Sequence, residues 1–173
     1  MRFEYCPFCG GKTVGRETGD EGLVPWCDNC TRPLFDMFPT CVLCVAVSDE
    51  GRVALIKQNG VTDHYVGVAG YIKPGENAEE AAAREVGEEL GLEVTGVRYM
   101  RSYWYDKRCM MMLGYTVFVK QGGLKPSCEV DEAKWFDMDD APAALRNTSL
   151  IQQLAELVVK AYKSGELKNE NCR

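Results

Sequence analysis

Residues 41–47, CVLCVAV, carry no polar side chain beyond two cysteines. A continuous apolar run this short reads as a strand buried on both faces. The turn-forming SDEG at 48–51 follows, and RVALIKQ at 52–58 returns as a second strand, so the pair reads as a hairpin. HYVGVAGYI at 64–72 is another strand-like stretch, ending in the turn KPGEN. The pattern then changes period. Asn77 is a good N-cap, Glu80 completes a capping box and Gly91 suits a C-cap, which predicts a helix over 78–90. Beyond GLEVTG come two long strand-like stretches, VRYMRSYWYD and CMMMLGYTVFVKQ, and a short one, AKWFDM. SLIQQLAELVVKAYKSG then places Leu150, Ile151, Leu154, Leu157, Val158 and Tyr162 at a helical period. Strands outnumber helices, as in an α+β protein built on a mixed sheet in an α/β/α sandwich. There is no internal repeat and no low-complexity linker.

The first forty residues have a different texture. CPFC sets Cys6 and Cys9 two residues apart, and CDNC does the same for Cys27 and Cys30. Each C-x2-C turn aims two sulfurs at one point, and two such turns complete a tetrahedral Zn²⁺ site. Four thiolates leave no open position for water, so the expected role is structural, with metal binding supplying the folding energy of a segment too short for its own core. Cys41 and Cys44 repeat the spacing within an apolar strand, where alternation sends them to opposite faces as core fillers. Cys109, Cys128 and Cys172 carry no pattern. The texture shifts at FPT, residues 38–40, which divides the chain into a zinc ribbon at 1–36, a main domain at 37–165 and a frayed tail at 166–173.

Charge and composition narrow the function. The net charge of −6 argues against a nonspecific grip on nucleic acid. The ribbon itself sets Arg2, Lys12, Arg16 and Arg32 against Glu4, Glu17, Asp20, Glu21, Asp28 and Asp36. No apolar run approaches the roughly 20 residues that span a membrane. The N-terminus lacks the apolar core of a signal peptide, and nine cysteines, an odd count, make no disulfide framework. A cytoplasmic protein is expected.

The predicted helix carries an electrostatic oddity. Glu85, Glu88 and Glu89 stand at i, i+3 and i+4, within an arc of about 100°. Like charges so placed repel by about 0.2–0.5 kcal/mol per pair. No lysine relieves them, and Arg84 is the helix's one cation. Val86, Leu90 and Ala83 form the expected core side, with the carboxylates along its edge. Ala78, Ala81 and Ala82, on the carboxylate side, would let a loop or ligand approach. Convergent hard oxygens with few counter-charges suit Mg²⁺ or Mn²⁺.

The wider stretch GYIKPGENAEEAAAREVGEELGL, residues 70–92, reads G-x5-E-x7-R-E-V-x-E-E-x-G-L and resembles the Nudix box. Gly70, Glu76, Arg84, Glu85, Val86, Glu88, Glu89, Gly91 and Leu92 fill its defining positions. The resemblance implies metal-dependent hydrolysis of the diphosphate bond in a nucleoside diphosphate derivative. It implies that Glu85, Glu88 and Glu89 hold the metals, that Arg84 orients Glu85 and that Glu76 braces the loop. A four-cysteine ribbon, FP at 38–39 and then this box resemble the layout of NADH pyrophosphatases. That likeness adds the Ala69 carbonyl and Glu132 of EAKWF as metal ligands, and it implies a homodimer in which Phe35 and Phe38 could line a base pocket.

One stretch departs from that family. Its specificity array reads S-Q-P-W-P-F-P, whereas this chain has SYWYDKR at 102–108. The serine and the aromatics remain, but the prolines are gone. Tyr103, Trp104 and Tyr105 are the candidates to stack on a base, and NAD(H) and ADP-ribose stand as comparable substrates. His64, the single histidine, is read as a loop-packing residue. Two alternatives stay open: a nucleotide-sensing or nucleic-acid-binding zinc-ribbon module without turnover, and a MutT-like nucleoside triphosphate pyrophosphohydrolase, which leaves the ribbon unexplained.

Overall fold

A computed structural model describes residues 3–58, 60 and 63–167. The chain divides into two compact units between Phe38 and Pro39, two residues beyond the expected boundary. The smaller unit is a three-stranded antiparallel sheet of β1 (Val14–Glu17), β2 (Leu23–Cys27) and β3 (Arg32–Pro33). Its buried apolar cluster is small, with Cys6, Cys27 and Leu34 at its centre.

The larger unit is organised on β4 (Thr40–Ser48), the strand read from CVLCVAV, in which Val42, Cys44 and Val45 are fully buried. Its N-terminal half pairs antiparallel with β6 (Val68–Tyr71), and its C-terminal half pairs antiparallel with β5 (Arg52–Gln58). Helix α1 (Ala78–Leu90) follows β6. β7 (Val94–Tyr105) and β8 (Met110–Val119) form an antiparallel ribbon, and β8 lies parallel to β4. β9 (Val130–Asp137) adds to the outer edge of β5, and the chain ends in α2 (Ala141–Ala144) and α3 (Leu150–Lys163). The sheet order is β7-β8-β4-β5-β9, with β6 also on β4.

Strand alternation divides the core into two layers. Cys41, Leu43, Val45 and Val47 face α3, where Ile151, Leu154 and Val158 pack. Val42, Cys44 and Ala46 face α1, against Ala82, Val86 and Leu90. Cys41 and Cys44 thus lie in opposite layers, as the strand period requires.

The helix ends match their sequence signals. Asn77 accepts from the Glu80 N–H while the Glu80 carboxylate accepts from the Asn77 N–H, and Gly91 closes the helix in the left-handed region at φ 64°. The inner face of α1 departs from expectation. Ala83 is only partly buried, whereas Ala81, Ala82 and Glu89 are buried with Val86 and Leu90. The core arc therefore takes in Glu89, and Ala81 and Ala82 pack against protein instead of leaving space for a ligand. In α3, Ala155 and Ala161 are buried and Tyr162 is exposed. At the chain end, Glu166 accepts from Arg98, and Leu167 is buried, its N–H donating to Ala161. These two residues are docked where a frayed tail was expected; 168–173 lie outside the described residues.

Candidate functional site

The loop between β6 and α1 is tied to the helix by one arginine. Arg84 Nε donates to Glu76 Oε1 at 2.6 Å and Nη2 donates to Glu76 Oε2 at 3.0 Å, a bidentate pair. Nη2 also donates to the Tyr71 carbonyl, and Glu76 Oε2 accepts from the Lys73 N–H at 3.0 Å. The Arg84 hydrogen bonds hold the Glu76 carboxyl down to about 2. Arg84 Nη1 donates to Glu85 Oε1 at 2.6 Å and to Glu88 Oε2 at 3.1 Å, so a single guanidinium orders three carboxylates.

Glu85 reaches back to β6. A Cβ on Gly70 would stand 2.0 Å from the Glu85 carboxylate carbon, so the strand can pass this carboxylate only as glycine. Glu88 remains largely exposed. Glu89 is only 4 % exposed, and its Oε2 is buried with no hydrogen-bond partner. Burial, followed by the charges of Glu85, Glu129 and Glu88, pushes its carboxyl up to about 7.

Glu129 was not singled out from the sequence. The Lys125 N–H donates to the Leu90 carbonyl at 2.8 Å and the Ser127 N–H to the Glu89 carbonyl at 3.3 Å. Lys125 also packs on Gly91, so the segment before β9 folds over the C-terminal end of α1 and sets Glu129 electrostatically beside Glu89. Glu132 lies elsewhere. It shares strand parity with Phe136, on the α3 side, while Ala133 and Trp135 face α1. Its carboxylate accepts from Lys57 Nζ at 2.7 Å and from the Tyr65 hydroxyl, and the Lys57 contact holds it below the usual carboxylate range. Among the described residues the oxygens of Glu85, Glu88 and Glu89 do not converge into one tight three-ligand group, since Arg84 draws Glu85 and Glu88 to itself.

A cavity of about 540 Å³ opens beside β6. Gly67 and Ala69 form part of its wall, with Trp104 and Tyr105 from the end of β7, Lys107 from the turn after it, and Arg146 to Ile151 from the approach to α3 and its first residues. Tyr103 does not line it. Its ring is buried in the α3-side core, because alternation along β7 turns it inward while exposing Trp104. His64 is exposed in the loop before β6. In the small unit, Phe35 and Phe38 are exposed.

The four cysteines of the small unit converge. Their Sγ atoms all lie within 4.8 Å of one another, with Cys6 and Cys30 at 3.9 Å and Cys9 and Cys27 at 3.5 Å. Ligands about 2.3 Å from a tetrahedral Zn²⁺ are about 3.8 Å apart, so the cluster fits the ion. Without a cation the thiols cannot all ionise: Cys30 is pushed up to about 12, first by its hydrogen bond with Cys9.

The chain belongs to the Nudix family: the NUDIX domain model matches residues 37–157. It is 30% identical over 172 residues to the NAD-capped RNA hydrolase NudC of Vibrio atlanticus, covering 98% of this chain and 62% of that protein. It is 32% identical to the NudC of Vibrio vulnificus over 95% of this chain and 61% of that one. The chain thus spans about three fifths of the length of these relatives. Among solved structures, a NUDIX hydrolase from Nitrosomonas europaea superposes with a TM-score of 0.67 at 18% identity, covering 94% of each chain. The NUDIX domain of Shewanella oneidensis NrtR, in complex with ADP ribose, superposes with a TM-score of 0.63 at 14% identity over 79% of this chain and 94% of that one.

Proposed function

We propose that the chain hydrolyses the diphosphate bond of a nucleoside diphosphate derivative, with NAD(H) and ADP-ribose as the leading substrates. The observation that carries this reading is Glu89, a buried carboxylate with an unpartnered oxygen, disfavoured as an anion by burial and by the charges of Glu85, Glu129 and Glu88. An uncompensated buried carboxylate is costly, and a divalent cation completes it. Mg²⁺ or Mn²⁺ held by Glu85, Glu88, Glu89 and the Ala69 carbonyl would neutralise the diphosphate and acidify an attacking water.

The remaining roles fall to the protein. Arg84 fixes Glu85 through one hydrogen bond and the box loop, through Glu76, by two more. Gly70 leaves the space that Glu85 fills. Glu129 supplies the carboxylate from outside the box, in preference to Glu132, which Lys57 and Tyr65 already engage. Trp104 and Tyr105 wall the cavity in which a base would stack. The NudC names of the relatives and the ADP ribose bound by the NrtR domain support a nucleotide substrate. In this reading the four-cysteine unit is a zinc-stapled ribbon joined to a cytoplasmic hydrolase domain, and a homodimer is the assembly to seek by light scattering. Among the described residues no helix is long and apolar enough to cross a membrane.

The test is a hydrolysis panel of NADH, NAD, ADP-ribose, diadenosine polyphosphates and deoxynucleoside triphosphates with Mg²⁺ or Mn²⁺. Cleavage of NADH or ADP-ribose into two phosphorylated products supports the reading. A strong preference for triphosphates would replace it with the MutT-like alternative, and nucleotide binding without turnover would replace it with a sensor.

A further inference from the structure

The cavity beside β6 has an electrostatic character that diphosphate cleavage alone does not require. The carboxylates of α1 lie on the far side of β6, where a bound cation would compensate the scissile diphosphate. Arg84, the one cation of that helix, is committed to Glu76, Glu85 and Glu88. The cavity wall nevertheless carries two further cations, Lys107 on the turn after β7 and Arg146 just before α3. Neither forms an ion pair among the described residues. Among the described residues of the wall Asp106 is the one acid against these two cations, so the described lining carries a net positive charge in a chain of net charge −6.

The backbone adds to this. Ser149 caps α3 and accepts from the Gln152 N–H, leaving the N–H groups of Leu150 and Ile151 without an acceptor inside the helix. Both residues also line the cavity. Lys107 falls within the stretch DKR at 106–108, directly after β7. Two cations without an ion pair among the described residues, beside donor N–H groups, match a tetrahedral dianion, whereas the aromatic wall at Trp104 and Tyr105 matches a base. The volume of about 540 Å³ is in the range of small-molecule sites and accommodates a mononucleotide.

We propose that this cavity recognises a nucleotide bearing a phosphate on its ribose, in addition to the diphosphate that is cut. The preferred substrates are then dinucleotides of the NADPH type or conjugates with a 3′-phosphoadenosine end. Lys107 and Arg146 are specificity residues, and they touch the ribose phosphate and not the reacting atoms. This proposal rests on the hydrolase reading for its kinetic arm alone.

Two measurements test it on the full chain. The first compares kcat/KM for NADPH and NADH. A preference for NADPH of about tenfold is expected, the effect of one or two charge-assisted hydrogen bonds. That ratio should collapse toward one in Lys107→Ala and in Arg146→Ala. The second is calorimetric binding of AMP, 2′-phospho-AMP and 3′-phospho-AMP without added metal. Tighter binding of either bisphosphate than of AMP is expected, and which one binds better assigns the position of the phosphate. Hydrolysis of NADH with no preference for NADPH, together with equal binding of all three nucleotides, would overturn the inference and leave the hydrolase reading intact. Selective bisphosphate binding with no hydrolysis of either dinucleotide would support the cavity assignment while removing the hydrolase reading.

Discussion

The carboxylate of Glu85 occupies the volume that a side chain on Gly70 would need. A Cβ there would lie 2.0 Å from Glu85 Cδ and 2.1 and 2.4 Å from its two oxygens. Strand β6 and helix α1 therefore meet at a glycine and a glutamate, two fixed positions of the box. Gly70→Ala should push Glu85 away from its place by more than 1 Å, which is enough to lower kcat by about 100-fold or more. Thermal melting and steady-state kinetics on the same sample separate this from unfolding: Tm should fall only modestly while turnover is nearly lost.

Glu129 and Glu132 provide a second test, because of the two only Glu129 contributes its charge to the upward shift of Glu89. Glu129→Gln should lower kcat by roughly 100-fold, as expected for a group that holds metal or moves a proton at the reacting water. Glu132→Gln breaks a half-exposed pair with Lys57 and should cost at most about 1 kcal/mol of stability, with kcat within about tenfold of wild type. Kinetics of the two variants at saturating Mg²⁺ decide between them, and the reverse ranking would return the role to Glu132.

The Glu76–Arg84 pair should leave a signature in acid. Its carboxyl titrates at about 2 in the fold against an ordinary 4.5. The pair's contribution is thus complete above about pH 4.5 and is lost as pH falls through about 2. Urea midpoints of wild type and Glu76→Gln should differ by a constant amount above pH 5 and converge as pH drops toward 2. A gap that does not change across this range would mean that the pair carries no net stability.

The cysteine cluster should bind one Zn²⁺ per chain by elemental analysis. Removing the metal with a strong chelator should abolish the fixed structure of residues 3–38, because Cys6, Cys27 and Leu34 make up nearly all of that unit's buried core. NMR spectra should then lose the dispersed resonances of β1–β3 and keep those of the β4-centred sheet. Cys27→Ser should reproduce the effect without a chelator.

How much of this was legible in the sequence depends on the range of each interaction. The bounds of α1 were readable because Asn77, Glu80 and Gly91 act on their own helix ends. The cysteine cluster was readable because spacing alone aims the sulfurs. Glu129 was not, since its place depends on Lys125 and Ser127 folding back onto Leu90 and Glu89, a contact between segments far apart in the chain. A parity count places Glu132 three residues from Trp135, hence on the other face of β9. Parity also separates Tyr103 from Trp104. The cavity and its two cations were unreadable, because β6, the end of β7 and the start of α3 come together only in the folded sheet.

Hydrolysis by this site is measured most directly as the Mg²⁺-dependent release of phosphorylated products, AMP among them, from NADH and ADP-ribose by wild type and by Glu89→Gln. Turnover should need added metal, and Glu89→Gln should abolish it. The variant should stay folded and melt slightly higher without metal, by about 2–4 °C if roughly 1 kcal/mol of buried-charge cost is relieved. Turnover that persists in Glu89→Gln, or that is indifferent to chelation, would contradict hydrolysis by this site.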